Sequence, residues 1–241
     1  MKKTLLSLAT VVAAAALPSA ACAQLAFNVG ASTDYRYRGI SQSRLKPAVQ
    51  GGIDYAAGGF YVGAWASSIK WIKDAGGDAS VEVDLYGGYK GEIAKGGLSY
   101  DVGVLTYQYP GHKLGVSPNT TEIYGALSFG PATAKYSHSL SNLFGFSDSK
   151  NSGYLDLGAS FDVGAGVTLA PHIGYQKVSG NSDYSYTDYS LAVSKDFDGL
   201  VVSASAVYAD VKRLGGVPAY ISPGGKNLGK TGLVLAVKYN F

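Results

Sequence analysis

The chain has 241 residues, among them 33 Gly and 19 Tyr, with 12% aromatic and only 15% charged side chains and a formal net charge of +3. That balance excludes the strongly basic surface of a nucleic-acid binder, and a single cysteine, Cys22, excludes a disulfide framework, a cysteine nucleophile with a resolving partner and a cysteine-ligated zinc. Glycine and tyrosine at these levels, without a collagen period, point to many strands joined by tight turns.

In chain order, residues 1–23 read as an export signal. Lys2 and Lys3 give a positive start, Leu5 to Ala16 an apolar stretch of 12 residues, and Ala21-Cys22-Ala23 a small-residue cleavage site. The apolar stretch is shorter than the ~20 residues of a membrane-spanning helix. Ser19 stands where a lipobox carries Leu, which argues against lipidation of Cys22. The expected mature chain, residues 24–241, therefore holds no cysteine, and losing Lys2 and Lys3 takes the net charge from +3 to +1.

The first strand is expected over about 25–39, ending in TDYRYRG. Arg36 and Arg38, two of only four arginines, interleave there with Tyr35 and Tyr37 after Asp34. A strand's period of two puts tyrosines on one face and charges on the other. The expectation is Tyr35 and Tyr37 towards lipid near the headgroups, with Asp34, Arg36 and Arg38 towards a lumen.

Eleven more segments carry the same period, at about 47–56, 60–71, 80–90, 98–109, 121–129, 132–140, 153–162, 167–177, 188–195, 200–210 and 231–241. Most have roughly the 9–11 residues that a tilted transmembrane strand needs. Val81, Val83 and Leu85 alternate cleanly with Glu82, Asp84 and Tyr86; the segments at 60–71 and 200–210 leave their parity open. The last segment places Leu233, Leu235, Val237, Tyr239 and Phe241 on one face and ends on Phe, which looks like the C-terminal barrel-assembly signal of bacterial outer-membrane proteins. Connections alternate as well: short after even-numbered segments (AGG, GEIAKGG, GP, VGAG, DFDG), mostly longer and polar or Gly/Pro-rich after odd-numbered ones. The pattern predicts an all-β fold, a transmembrane antiparallel up-and-down β-barrel of about 12 strands, with both termini on the short-turn side. A soluble sandwich or lipocalin-like barrel also alternates, but its water-facing parity would be richer in Lys and Glu.

DYRYRGISQS, followed by KPAVQGGIDY and GFYVGAWASS, resembles the N-terminal region of a family of proteobacterial porin-like proteins labelled TorF-family or Gcw_chp. Tyr37 stands where that family commonly has Phe. The likeness is strongest over about residues 26–70 and reaches through the terminal strand. The resemblance implies an outer-membrane barrel and no catalytic or binding residue.

Lumen parity selects Asp34, Arg36, Arg38, Glu82, Asp84, Asp101 and Glu122 as pore-lining candidates. With the arginines on strand 1 and the acids on strands 4–6, opposed walls of opposite sign are expected. His138 and Ser139 are adjacent and so on opposite faces, which rules out a Ser–His nucleophile there; His138 reads as an aromatic at the outer rim. His172 has lumen parity but no carboxylate or His at ligand spacing, and Asp74 and Asp78 read as solvated loop charge. The functional expectation is a bacterial outer-membrane porin passing small polar or ionic solutes, with outer-membrane lipid and the barrel-assembly machinery as partners and with no cofactor, metal or nucleic acid. The alternative is a non-conducting barrel acting as a lipid-modifying enzyme or a structural or adhesive surface protein. The 20-residue stretch 211–230, the longest connection, is the expected constriction or lid.

Overall fold

The computed structural model describes residues 23–94 and 96–241; the export signal expected over 1–23 lies, apart from Ala23, outside them. Twelve strands form one closed antiparallel barrel. They are β1 (Gln24–Ser32), β2 (Ala48–Ala57), β3 (Phe60–Ser68), β4 (Val81–Ala94), β5 (Leu98–Gln108), β6 (Thr120–Phe129), β7 (Ala132–Ser139), β8 (Gly153–Ala159), β9 (Val167–Lys177), β10 (Tyr186–Phe197), β11 (Leu200–Asp210) and β12 (Gly232–Asn240). Each strand pairs with its chain neighbours. The ring closes where β1 meets β12, from Asn28 opposite Asn240 to Ser32 opposite Ala236. Phe161–Asp162 continues β8 along β9 after a break at Ser160.

The expected segments match these strands with three differences, the smallest being that the fourth runs on to Ala94, into the expected turn 91–97. The third strand stops at Ser68, and Trp71–Asp74 forms a single helical turn. More consequentially, the first strand stops at Ser32, so TDYRYRG is not its outer half.

The apolar parity faces outward. Leu25, Phe27 and Val29 on β1 are 44–54% exposed, and Leu233, Leu235, Val237, Tyr239 and Phe241 are all exposed, whereas Lys238 between them is 7% exposed and points inward. The open parities resolve the same way: Phe60 and Val62 face out on β3, Leu200, Val202 and Tyr208 on β11. Aromatics mark both edges of this band, as expected where lipid headgroups meet the barrel wall. Phe60 packs on Tyr89 and Tyr239 on Phe241 at the short-turn end; Tyr189 stacks on Tyr208 at the long-loop end, where Tyr136 also meets His138.

Inside, tyrosine rings lie across glycines of the neighbouring strand. A Cβ at Gly103 would come within 2.5 Å of the Tyr124 hydroxyl and 2.6 Å of the Gly87 carbonyl oxygen, and one at Gly63 within 2.5 Å of the Tyr86 ring. The missing side chain is the slot that the ring fills. Gly103→Val is expected to expel the Tyr124 ring and to cost about 1–3 kcal/mol, the usual penalty of overpacking. A lower unfolding temperature in a heat-modifiability gel checks this; an unchanged one would mean the slot is loose.

Candidate functional site: the lumen and its neck

Residues 33–47, which join β1 to β2, turn into the barrel instead of standing above it. Arg36–Tyr37 pairs with Ile40–Ser41, and the two residues between, Arg38 (φ +46°) and Gly39 (φ +78°), make a tight turn of the primed kind that hairpins favour. Gly39 is required twice over. Its φ is left-handed, and an added Cβ would stand 2.6 Å from the Asp188 Cβ and 2.9 Å from the Ala209 Cβ. The hairpin tip therefore seats against the inner face of β10 and β11.

Asp34 is the hub of the hairpin's base. It accepts from Arg36 Nε at 2.7 Å and from Ser41 Oγ at 2.5 Å. Arg36 also donates to the carbonyl oxygens of Gly39 (3.2 Å) and Lys230 (2.7 Å), and is 6% exposed.

Arg38 is the latch. Its Nη1 and Nη2 donate to the two oxygens of Glu122 at 3.0 and 2.7 Å, and Nη1 also donates to Gln176 Oε1 at 2.7 Å. The guanidinium lies 4.3 Å from the centre of the Tyr154 ring and 4.9 Å from that of Tyr37. A forked, charge-assisted contact combined with aromatic stacking is the strongest way to hold an arginine. It also explains why a non-glycine residue tolerates positive φ at the tip.

Tyr35 is buried and Tyr37 half-buried in this neck, so the expectation that they face lipid is corrected. Tyr35 donates to Glu82 Oε1 at 2.5 Å, and Tyr109 donates to Glu82 Oε2 at 2.7 Å. Burial, followed by the nearby Glu82 charge, pushes the Tyr35 phenol well above its ordinary range, so it stays a proton donor. Tyr37 bonds the Tyr107 hydroxyl, which donates to Glu122 Oε2 at 3.2 Å. Around them Ala48, Ile69, Ile72 and Tyr109 pack into a dry core.

Among the sequence-predicted residues, Asp34, Arg36, Arg38, Glu82, Asp84 and Glu122 converge on this neck; Asp101 lies apart, lower in the lumen. The expected opposed walls of unlike charge are also corrected. Because the arginines sit on an inserted hairpin, Arg38 reaches the acidic wall and neutralises Glu122 there. The stretch 211–230, the expected constriction or lid, stands above the neck. It lies over the hairpin, with Leu228 among Ile40, Tyr186 and Ala209, and with its backbone accepting from Ser41 N at 3.0 Å.

Lower in the lumen, Tyr61 donates to Asp101 at 2.5 Å and bonds Tyr124, while Tyr86 donates to Asp54 at 2.5 Å. The Lys135 ammonium sits 3.9 Å from the centre of the Tyr124 ring. Sequence reasoning missed one cluster. His172 lies 3.3 Å from Asp156 and 3.6 Å from Asp188, and the Tyr154 hydroxyl, donating to Asp188 at 2.9 Å, is 3.2 Å from His172 Nε2. These partners come from three strands, so only the register across β8, β9 and β10 reveals them. Among the described residues no three His, Cys, Asp or Glu side chains converge to hold a metal. In the loops, Asp74 pairs with Arg44, and exposed Asp78 accepts from Lys113, which holds its carboxyl below the ordinary range.

A family model described as a bacterial protein of unknown function (Gcw_chp) matches residues 16–241. No curated protein sequence matches the chain. Among solved structures, a KdgM porin in complex with disordered oligogalacturonate superposes with a TM-score of 0.57 at 9% identity, covering 91% of this chain and 99% of that one. A NanC porin in a rhombohedral crystal form superposes with a TM-score of 0.53 at 11% identity, covering 90% and 99%.

Proposed function

Since the chain belongs to the Gcw_chp family, which carries no assigned function, and has the fold of small porins, we propose that it is an outer-membrane channel for small polar or ionic solutes, non-enzymatic and gated at its neck. The observation that carries this reading is a closed barrel with an apolar exterior and an interior of charged and hydroxyl side chains. The signal at 1–23 exports the chain, and Leu233, Leu235, Val237, Tyr239 and Phe241 address it to the barrel-assembly machinery and then to lipid. The TorF label, which rests on residues 26–70, belongs to the same proposal.

Charge sets the preferred solute. The oligogalacturonate bound by the KdgM porin is an acid, but both lumen arginines here are already held by Asp34 and Glu122. Inward carboxylates at Asp54, Asp101, Asp156 and Asp188 face Lys90, Lys135 and Lys238, so the lumen favours cations. Asp34, Arg36, Arg38, Glu82, Asp84 and Glu122 then govern passage through the neck.

Refolded protein in planar bilayers is expected to give discrete current steps, with a reversal potential on the cation side under a salt gradient. A reversal potential on the anion side would overturn the selectivity. Complete absence of steps would favour a non-conducting structural, adhesive or lipid-modifying barrel, the reading that the inserted hairpin itself supports.

A further inference from the structure

The two walls of the lumen differ in bulk. From β3 to β8 the inward positions carry Tyr61, Tyr86, Tyr124 and Tyr154, held by hydrogen bonds to Asp101, Asp54, Tyr61 and Asp188. From β10 to β12 they carry Ser190, Ala192 and Ser194, then Ser203, Ser205 and Val207, then Val234 and Ala236, all partly reached by solvent and none larger than valine. These small residues are in register. Ser194 lies opposite Ser203, which lies opposite Ala236, and Ala192 lies opposite Ser205. Rings fixed on one wall and small side chains on the other leave the free cross-section off the barrel axis.

This groove is stopped at the long-loop end by Arg36. The guanidinium packs on the backbone of Gly232, where an added Cβ would come within 2.5 Å of Nη2, and it is pinned there by Asp34 and the Lys230 carbonyl oxygen. Asp188 on β10 borders the groove, Asp156 on β8 stands behind it across His172, and Asp196 and Lys238 face inward at the short-turn end.

We propose that solutes pass along this serine-lined groove on β10–β12, that they are small hydrated cations, and that Arg36 seated on Gly232 is the gate. The inference rests on the channel reading above and adds the route, the solute class and the gating residue.

Residues 24–241 contain no cysteine, so Ser194→Cys, Ser203→Cys and Ser205→Cys each supply a single thiol, with Thr133→Cys on the opposite wall as the control. Cationic and anionic methanethiosulfonates of similar size are applied to the reconstituted barrel, with modification followed by mass spectrometry and by current. The groove thiols are expected to react about tenfold faster than the control and faster with the cation, in line with charge-lined conduits, and to lose conductance on modification. Arg36→Ala, or Arg36→Lys if the alanine variant does not refold, should speed modification of Ser203→Cys from the loop side; no change would overturn the gate. Equal rates on both walls, faster anionic reaction, or current untouched by modification would overturn the groove while leaving the channel standing. Silence of every variant in the bilayer would overturn the channel reading, and this inference with it.

Discussion

Replacing residues 34–46 by a short glycine turn should raise single-channel conductance about tenfold, because side chains alone decide how much of a barrel this size is open. The bridge is geometrically available, since Ser32 and Ala48 already face each other as partners at the ends of β1 and β2. What the excision removes is Tyr35, Tyr37 and the hairpin backbone, which pack over Ala48, Tyr107 and Tyr109 and leave each of these three at most 2% exposed. What it leaves is a ring containing Glu82, Asp84 and Glu122, now hydrated, and charged groups are far cheaper to keep in water than in a packed neck. The shortened barrel should therefore conduct more and prefer cations more strongly. Unchanged conductance would place the narrowest point elsewhere and remove the hairpin from the path.

Glu122→Ala should be the most damaging single substitution in the neck, at about 3–5 kcal/mol, the cost of stranding one partner of a buried ion pair. Arg38 and Glu122 have side chains only 6% and 1% exposed, and Gln176 alone cannot neutralise the guanidinium left behind. Glu122→Gln keeps an acceptor and should cost less. Arg38→Met combined with Glu122→Leu removes both charges and should recover much of the loss, since a packed apolar pair often equals a buried ionic one. Unfolding temperatures in a gel-shift series, together with the frequency of brief openings, order the variants. A Glu122→Ala barrel as heat-resistant as the parent would show that the latch carries no load.

The strands were legible because two independent signals agreed: alternation within segments and alternation of loop length between them. Leu233 to Phe241 is the clearest instance, every second side chain apolar and outward. The neck was illegible for a physical reason. TDYRYRG continues the period-two pattern beyond the point where pairing stops, so Tyr35 and Tyr37 carry the same signature in a lumen hairpin as on a lipid-facing strand. The informative mark was Arg38-Gly39, a residue pair suited to a tight hairpin turn, followed by Pro47 just ahead of β2. Parity at 60–68 stayed open because Ala64 and Ala66 face out while Trp65 points in towards Tyr35, reversing the usual order of bulk. The His172 cluster required register, which no single strand contains.

The β1–β12 seam has five partner pairs, against nine between β1 and β2. The inserted segment lengthens it. Thr33 N donates to the Leu235 carbonyl oxygen at 2.9 Å, Leu235 N donates to Thr33 Oγ1 at 3.0 Å, and Arg36 grips Lys230. One piece of chain thus narrows the bore and stitches the first strand to the last, across about 200 positions of sequence. A barrel still being threaded into a bilayer cannot have this segment fully in place, because its anchors at Lys230, Gly232 and Leu235 arrive with the final strand. Narrowing the bore is a by-product of finishing, and a half-built barrel would leak where the finished one selects.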